Sequence, residues 1–277
     1  MNLKMDLHCH SIYSDGTETP ANVVRLAAKA GVGLFALTDH DTLLGVSEAV
    51  EAGREHGVRV LPSIEMDTES PFELHILGLD VDIDNAALTS ALLLAKNRRS
   101  ERNSRILKTL KSAGFNIYPY FKESFGSTTR FNIACALVDS GHASTISDAF
   151  ARFLEPGTLG YFELERPSPA EVIELIRGAG GIPVLAHPCK LKANPHNVVM
   201  QLAAQGLMGL EAYYPTSTKG QIELFVSLAS KYGLIITSGS DYHGANRDIL
   251  PGSAWEDNAL LNKSARLFIR RHCKTFV

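Results

Sequence analysis

Short apolar runs alternate with amphipathic stretches along most of the chain. Residues 4–7, 33–38 (GLFALT), 58–64 and 74–79 form four runs, and 182–186, 207–213 and 234–238 form three more. Runs this short, bounded by polar and turn-forming residues, are the lengths of buried strands. Between them, residues 21–30, 44–56, 170–179, 197–205 and 220–232 place apolar positions at helical spacing. Strands that alternate with helices predict βα units and a largely parallel sheet, either open and doubly wound or closed into a barrel. Residues 84–168 break this rhythm. There, 85–95 and 98–113 read as helices, 131–139 and 147–153 as two shorter ones, and no strong strand appears. The expected organisation is a main domain of residues 1–84 and 169–277, interrupted by a helical insertion at 85–168. Pro167 and Pro169 mark the return to the main domain.

Candidate chemistry collects where the runs stop. The first run leads into Asp6-Leu-His-Cys-His. Side chains alternate along a strand, so His8 and His10 share a face and Cys9 points away. Asp15 follows in the next loop, in SIYSDGT. GLFALT is followed by Asp39-His40-Asp41, the third run by Glu65, IPVLA by His187-Pro188, and IITSGS by Asp241-Tyr-His243. Any one of these could be a surface polar residue. Five runs that each end in His, Asp or Glu indicate a shared site, because parallel α/β folds gather functional groups at the carboxyl ends of their strands. His75 lies inside the run ELHILGL, ten residues after Glu65, and is taken as a ligand over a core histidine.

Composition narrows the function classes. The chain has 277 residues, 45% apolar and 21% charged, with Lys plus Arg at 27 and Asp plus Glu at 30, for a net charge of −3. This is a globular composition of one large or two unequal domains, without the basic excess of a duplex-coating protein. No apolar stretch spans a membrane, and the start MNLKMDLHCH turns polar too soon for a secretory leader. Cys9, Cys135, Cys189 and Cys273 are far apart, which suggests neither a zinc ribbon nor a disulfide framework. A reducing cytoplasm is the expected compartment.

Together, HCHSIYSDG, LTDHDT, the Glu65 strand end, ELHILGL, AHP and GSDYHG resemble the polymerase-and-histidinol-phosphatase (PHP) family of metal-dependent phosphoesterases. The likeness is strongest to its ribonuclease AM and 3′,5′-nucleoside bisphosphate phosphatase group, which has a helical insertion with an Arg-Asn-x-Arg segment and a Thr-Arg pair. Here these are Arg102-Asn-Ser-Arg105 and Thr129-Arg130. The resemblance implies a distorted seven-stranded (β/α) barrel whose site holds two or three divalent metals. It assigns His8, His10, Glu65 and Asp241 to the first, Glu65, His75 and His187 to the second, and Asp15, His40 and His243 to the third. Imidazole and carboxylate ligands without thiolate suit Mn, Zn or Fe; the resemblance favours Mn. His56, His142 and His272 are read as surface residues, and His196 as a marginal candidate for the site mouth.

Arg98, Arg102 and Arg105 share one face of the helix expected near 98–113, and Arg130 opens the next helix, where free N–H groups favour anions. A charge run is ordinarily a solvated face. The resemblance raises Arg102, Arg105 and Arg130 to substrate-binding candidates for a second phosphate. Tyr213 and Tyr214 remain open between base stacking and rim packing. The implied activity is hydrolysis of nucleoside 3′,5′-bisphosphates, such as the adenosine compound, to monophosphate and phosphate. The alternatives are a 5′-to-3′ exoribonuclease on short RNA and a small-molecule phosphatase such as histidinol phosphatase. A non-catalytic PHP module would be expected to lack ligands. An amidohydrolase would want a lysine at a strand end, and none of the five ends has one.

Overall fold

Seven strands form one sheet in chain order: β1 (Met5–Asp6), β2 (Leu34–Leu37), β3 (Arg59–Asp67), β4 (His75–Leu79), β5 (Ile182–Leu185), β6 (Gly209–Tyr213) and β7 (Ile235–Ser238). They coincide with the seven apolar runs. The structure, a computed structural model, describes residues 3–246 and 248–275. The β7 segment returns beside β1: Leu7 N donates to Ser238 O at 3.0 Å and Asp241 N to His8 O at 2.8 Å. The sheet is therefore a nearly closed barrel, with few free edge groups left to pair elsewhere.

The sheet is less parallel than the βα rhythm predicts. β4 runs antiparallel to both β3 and β5, while the other neighbouring pairs are parallel. The cause is the connection between β3 and β4. It is too short for a crossover, so the chain turns back as a hairpin. Asp67 at the end of β3 consequently pairs with His75 at the start of β4. This explains why His75 opens its strand instead of following it. The amino end of a reversed strand lies on the same rim as the carboxyl ends of the others.

The helices are α1 (Pro20–Lys29), α2 (Val46–His56), α3 (Ala86–Ser112), α4 (Arg130–Asp139), α5 (Ile146–Ala149), α6 (Pro169–Gly178), α7 (Pro195–Ala204), α8 (Lys219–Tyr232) and α9 (Ala259–Thr275). Their starts follow from local chemistry. Thr19 caps α1, and Ser168 and Thr218 form capping boxes with Glu171 and Gln221 on α6 and α8. A π-helical segment, Phe150–Leu154, extends α5.

Two of the sequence expectations change here. The two helices expected over 85–95 and 98–113 are one, Ala86–Ser112, because nothing between 95 and 98 stops it; Lys96-Asn97 contains neither Gly nor Pro. Within α3, Leu88 and Leu92 belong to the barrel core. Ile106, Leu107 and Leu110 belong to a separate cluster with Ile133, Leu137, Phe153 and Leu154. The helix thus runs from one core into the other. The second change is α9, which the strand-based reading did not mark. Leu261, Ala265 and Phe268 recur at helical spacing and are buried in the barrel core. The flanking Lys263, Arg266 and Arg270 mask that stripe in the bare sequence. The side chains of His272 and Cys273 lie outside those described. Among the described residues, no helix is long and apolar enough to cross a membrane.

Phe268 is fully buried. Truncating such a ring removes transfer energy and leaves a cavity, so Phe268→Ala should cost about 3–5 kcal/mol. The check is the urea midpoint; an unshifted midpoint would detach α9 from the barrel core.

Candidate metal centre

One rim of the barrel carries a buried cluster of imidazoles and carboxylates. The centre is Glu65, only 1% exposed. Its Oε2 lies 3.1 Å from His8 Nε2, 3.2 Å from His10 Nε2 and 3.3 Å from His40 Nδ1. Its Oε1 lies 2.9 Å from His75 Nδ1 and 3.1 Å from His187 Nε2. Asp241 Oδ1 faces His8 and His10 Nε2 at 3.5 and 3.3 Å and His243 Nδ1 at 3.4 Å. Asp15 closes the group, with His243 Nε2 at 3.3 Å and His40 Nε2 at 3.8 Å. All nine residues singled out in the sequence are therefore brought together. Cys9 turns away, its Sγ on Asp6 and Ser240 at 3.3 and 3.4 Å.

The backbone is bent to build this rim. Asp41, His187 and Asp241 have φ of 49°, 28° and 52°. Left-handed conformations at non-glycine residues are strained and persist only where the surroundings hold them. His187 N donates to Glu211 Oε2 at 2.7 Å, and Asp41 N to Glu65 O at 2.9 Å. At Gly239 a Cβ would collide with the Glu211 carboxylate and the His8 side chain, so only glycine lets the strand end approach this closely.

The donor atoms fall into overlapping groups, each spanning at most 4.8 Å: His8, His10 and Glu65; Glu65, His75 and His187; His10, Asp15, His40 and His243; and His40, Asp67 and His75. Asp15 Oδ1 and His243 Nε2 are buried and make no hydrogen bond. Buried polar atoms normally find partners, and cations between these donors would supply them. The set fits divalent metal ions of the Mn, Zn and Fe type.

The electrostatics are those of a site built to hold positive charge. Burial alone would lower the pKa of His8, yet Glu65, Glu211 and Asp241 outweigh it and hold the imidazole well above its usual value. His40 is likewise pushed up to about 10, against burial, by Glu65 and Asp15. His75 is raised by Glu65 and Asp67, again against burial. Glu65 and Asp241 stay ionised despite their burial because the imidazoles around them, and Lys190 beside Asp241, hold them well below the carboxylate range. His187 moves the other way, to about 4, through burial and the nearby Lys190. His243 is also lowered by burial.

Several supporting residues were not evident from the strand ends. Glu211, fully buried in β6, contacts His8 Nδ1 at 3.1 Å; its signal was a carboxylate inside an apolar run. Asp39 accepts from Ser11 N at 2.7 Å and from the Ser11 and Ser14 hydroxyls at 2.6 Å, holding the loop that carries Asp15. Lys190 Nζ and Tyr214 OH grip Asp241 Oδ2 at 2.9 and 2.7 Å. Tyr213 and Tyr214 are both buried at the rim, and Tyr213 OH accepts from Asn258 at 2.9 Å, so neither ring is free to stack on a base. His56 is exposed. His142 is instead half-buried against Phe115, at 5.4 Å. His196 contacts Lys231 at 2.9 Å on α8 and does not join the cluster.

The arginine face read along α3 divides. Arg98 pairs with Glu165 at 2.6 Å, and Arg105 is exposed over the Phe162 ring at 4.5 Å. Arg102 is buried, its guanidinium on Asn103 Oδ1 at 3.1 and 2.8 Å. Burial and the charges of Arg99, Arg130 and Arg166 hold its pKa well below the usual value. The structure thus groups Arg102 with Arg130 and adds two arginines that the sequence reading passed over. Arg130, half-buried, donates to Leu154 O at 3.1 Å. The Arg130 loop meets the metal-centre loop: Thr129 Oγ1 donates to Asp15 Oδ2 at 3.3 Å.

Residues 6–131 match the PHP domain family. A protein of Haemophilus influenzae named 5′-3′ exoribonuclease is 34% identical over 249 residues, 88% of this chain and 91% of its own length. A 3′,5′-nucleoside bisphosphate phosphatase of Chromobacterium violaceum is 32% identical over 247 residues, 86% of this chain and 87% of its own. A solved structure from Chromobacterium violaceum, described as an amidohydrolase with bound sulfate and no metal, superposes with a TM-score of 0.87 at 30% identity. It covers 97% of this chain and 96% of its own.

Raised imidazoles must lose their protons before they can ligate a metal. Binding of Mn(II) to the metal-free protein should therefore release protons, and the apparent affinity should rise with pH. Calorimetry in two buffers of different ionisation enthalpy measures the release; a heat independent of buffer would contradict the protonated state of His8, His40 and His75.

Proposed function

Given that the chain belongs to the PHP family of metal-dependent phosphoesterases, we propose that it hydrolyses nucleoside 3′,5′-bisphosphates to a nucleoside monophosphate and phosphate. The observation that carries this reading is Arg102. It is 3% exposed, yet its guanidinium makes no ion pair among the described residues. A buried charge is costly unless paired. Arg99, Arg130 and Arg166 are near enough to act on Arg102 by their charge, and this cationic cluster suits a phosphate, whose oxygens match the guanidinium fork. It adjoins the metal-centre rim through Thr129 and Asp15. One phosphate would rest against this cluster while the other meets the His, Asp and Glu residues.

Divalent ions held by the nine residues, with Mn the first choice and Zn or Fe compatible, would supply a hydroxide at neutral pH and offset the phosphate charge. The chain's own residues hold the geometry. Glu211 fixes the orientation of His8, Lys190 and Tyr214 fix the Asp241 carboxylate, and Asp39 pins the Asp15 loop. Water adds to phosphorus as the ester P–O bond breaks, and the leaving alkoxide takes up a proton.

A second reading, a 5′-to-3′ exoribonuclease on short RNA, is favoured by the name of the Haemophilus relative and by Phe125. That side chain is 70% exposed, and its ring lies 5.8 Å from Tyr13, on the loop that carries Asp15. Exposed aromatic faces stack on bases whatever their sequence. Phosphate release with Mn(II) from adenosine 3′,5′-bisphosphate, the two monophosphates and 5′-phosphorylated RNA discriminates the readings. A clear preference for the RNA would displace the bisphosphate. Activity that survives full chelation would remove the metal-centred reading altogether.

A charge-assisted hydrogen bond to phosphate is worth about 1.5–3 kcal/mol. Arg130→Ala should lower kcat/KM for the bisphosphate by roughly 10- to 200-fold, with much less change for a monophosphate at the same ionic strength. Equal losses on both would assign Arg130 to the scissile phosphate or to folding.

A further inference from the structure

Asp67 stands between the two halves of the site. Its carboxylate, 12% exposed, ends β3 two residues beyond Glu65 and on the same face. Oδ1 lies 3.5 Å from His40 Nδ1 and 3.4 Å from His75 Nε2. Oδ2 accepts from Arg99 Nη2 at 2.8 Å and Arg166 Nε at 3.3 Å. Arg99 is itself anchored, since its Nε and Nη2 bind Asp41 Oδ2 at 2.9 and 2.5 Å. The second nitrogen of each imidazole faces a carboxylate at the centre: His40 Nε2 is 3.8 Å from Asp15, and His75 Nδ1 is 2.9 Å from Glu65. The two rings meet edge to face at 5.2 Å.

We propose that Asp67 is a positioning residue that couples metal binding to anion binding, by orienting His40 and His75 with one oxygen and restraining Arg99 and Arg166 with the other. The proposal rests on the metal-centred reading above. A carboxylate that faces one imidazole nitrogen at 3.4–3.5 Å favours the proton there by its charge, leaving the other nitrogen's lone pair for a metal. Asp67 does this for two histidines assigned to different metals. On its other side it offsets part of the charge of the arginine cluster. An anion in that cluster draws Arg166 from Asp67, so the two binding events are linked, and linkage is reciprocal.

The two arms of this role have opposite signs, which a general structural role would not produce. In Asp67→Asn, Mn(II) should bind the metal-free protein about 10- to 100-fold more weakly at one or more sites. Competition with a chromogenic chelator measures this. Sulfate should bind the metal-free variant more tightly, by roughly 3- to 30-fold, because a nearby negative charge is gone. Calorimetry measures that arm. Unchanged Mn(II) affinity would overturn the proposal, and so would a sulfate affinity that falls together with that for Mn(II). Arg166→Gln is the second variant and serves if Asp67→Asn does not fold: sulfate binding should weaken with Mn(II) affinity retained. Loss of Mn(II) in that variant would overturn the coupling. Wild-type protein that binds no Mn(II) would remove the metal-centred reading and the role of Asp67 together. Normal Mn(II) binding in both wild type and Asp67→Asn would remove Asp67 alone.

Discussion

The site is organised by one buried carboxylate under five imidazoles. Glu65 touches His8, His10, His40, His75 and His187 with its two oxygens. Packing so many titratable groups away from water is tolerable only if their charges alternate and their remaining polar atoms are satisfied. The barrel meets the first demand by delivering the partners from separate strands to one rim, and bound cations would meet the second. The strained backbone at Asp41, His187 and Asp241, and the lack of a Cβ at Gly239, are local costs of that convergence. Second-rank acids then fix the imidazoles from behind, Glu211 under His8 and Asp67 beside His40 and His75.

Much of this was legible along the chain, for physical reasons. Strand ends are short-range features, so a polar residue closing an apolar run marks the rim wherever the run is a strand. His75 resisted that logic only because β4 is reversed, and strand direction depends on the length of the β3–β4 connection. Glu211 and Asp67 were harder to see. Their importance comes from which histidine each touches across the barrel, and no local pattern carries that information. The same holds for Arg99 and Arg166. Helical spacing put Arg98, Arg102 and Arg105 on one face, whereas Arg99 and Arg102 are buried and Arg105 is left outside. The tyrosines were ambiguous in the sequence because a rim residue and a stacking platform have the same composition. The bond from Tyr214 to Asp241 resolves that one.

Charge balance changes with the added residues. Counting only the three carboxylates among the nine sequence-derived residues leaves a centre strongly positive once metals are bound. Asp67 and Glu211 lower that surplus, while Arg99, Arg102, Arg130 and Arg166 raise it again a short way off. The positive potential is thereby moved outward, toward the place where a ligand's distal group would lie.

Helix α3 bears on how that distal group is measured. It runs unbroken for 27 residues, from Leu88 and Leu92 in one core to Ile106 and Leu110 in the other, a rod of roughly 40 Å at 1.5 Å per residue. With no Gly or Pro in it to act as a hinge, the arginines it carries are held at a set distance from the barrel rim. On the bisphosphate reading proposed above, the rod would work as a fixed caliper. A ligand with two anionic groups would be gauged by the span between them, and one whose groups are too close or too far apart would satisfy only one jaw at a time.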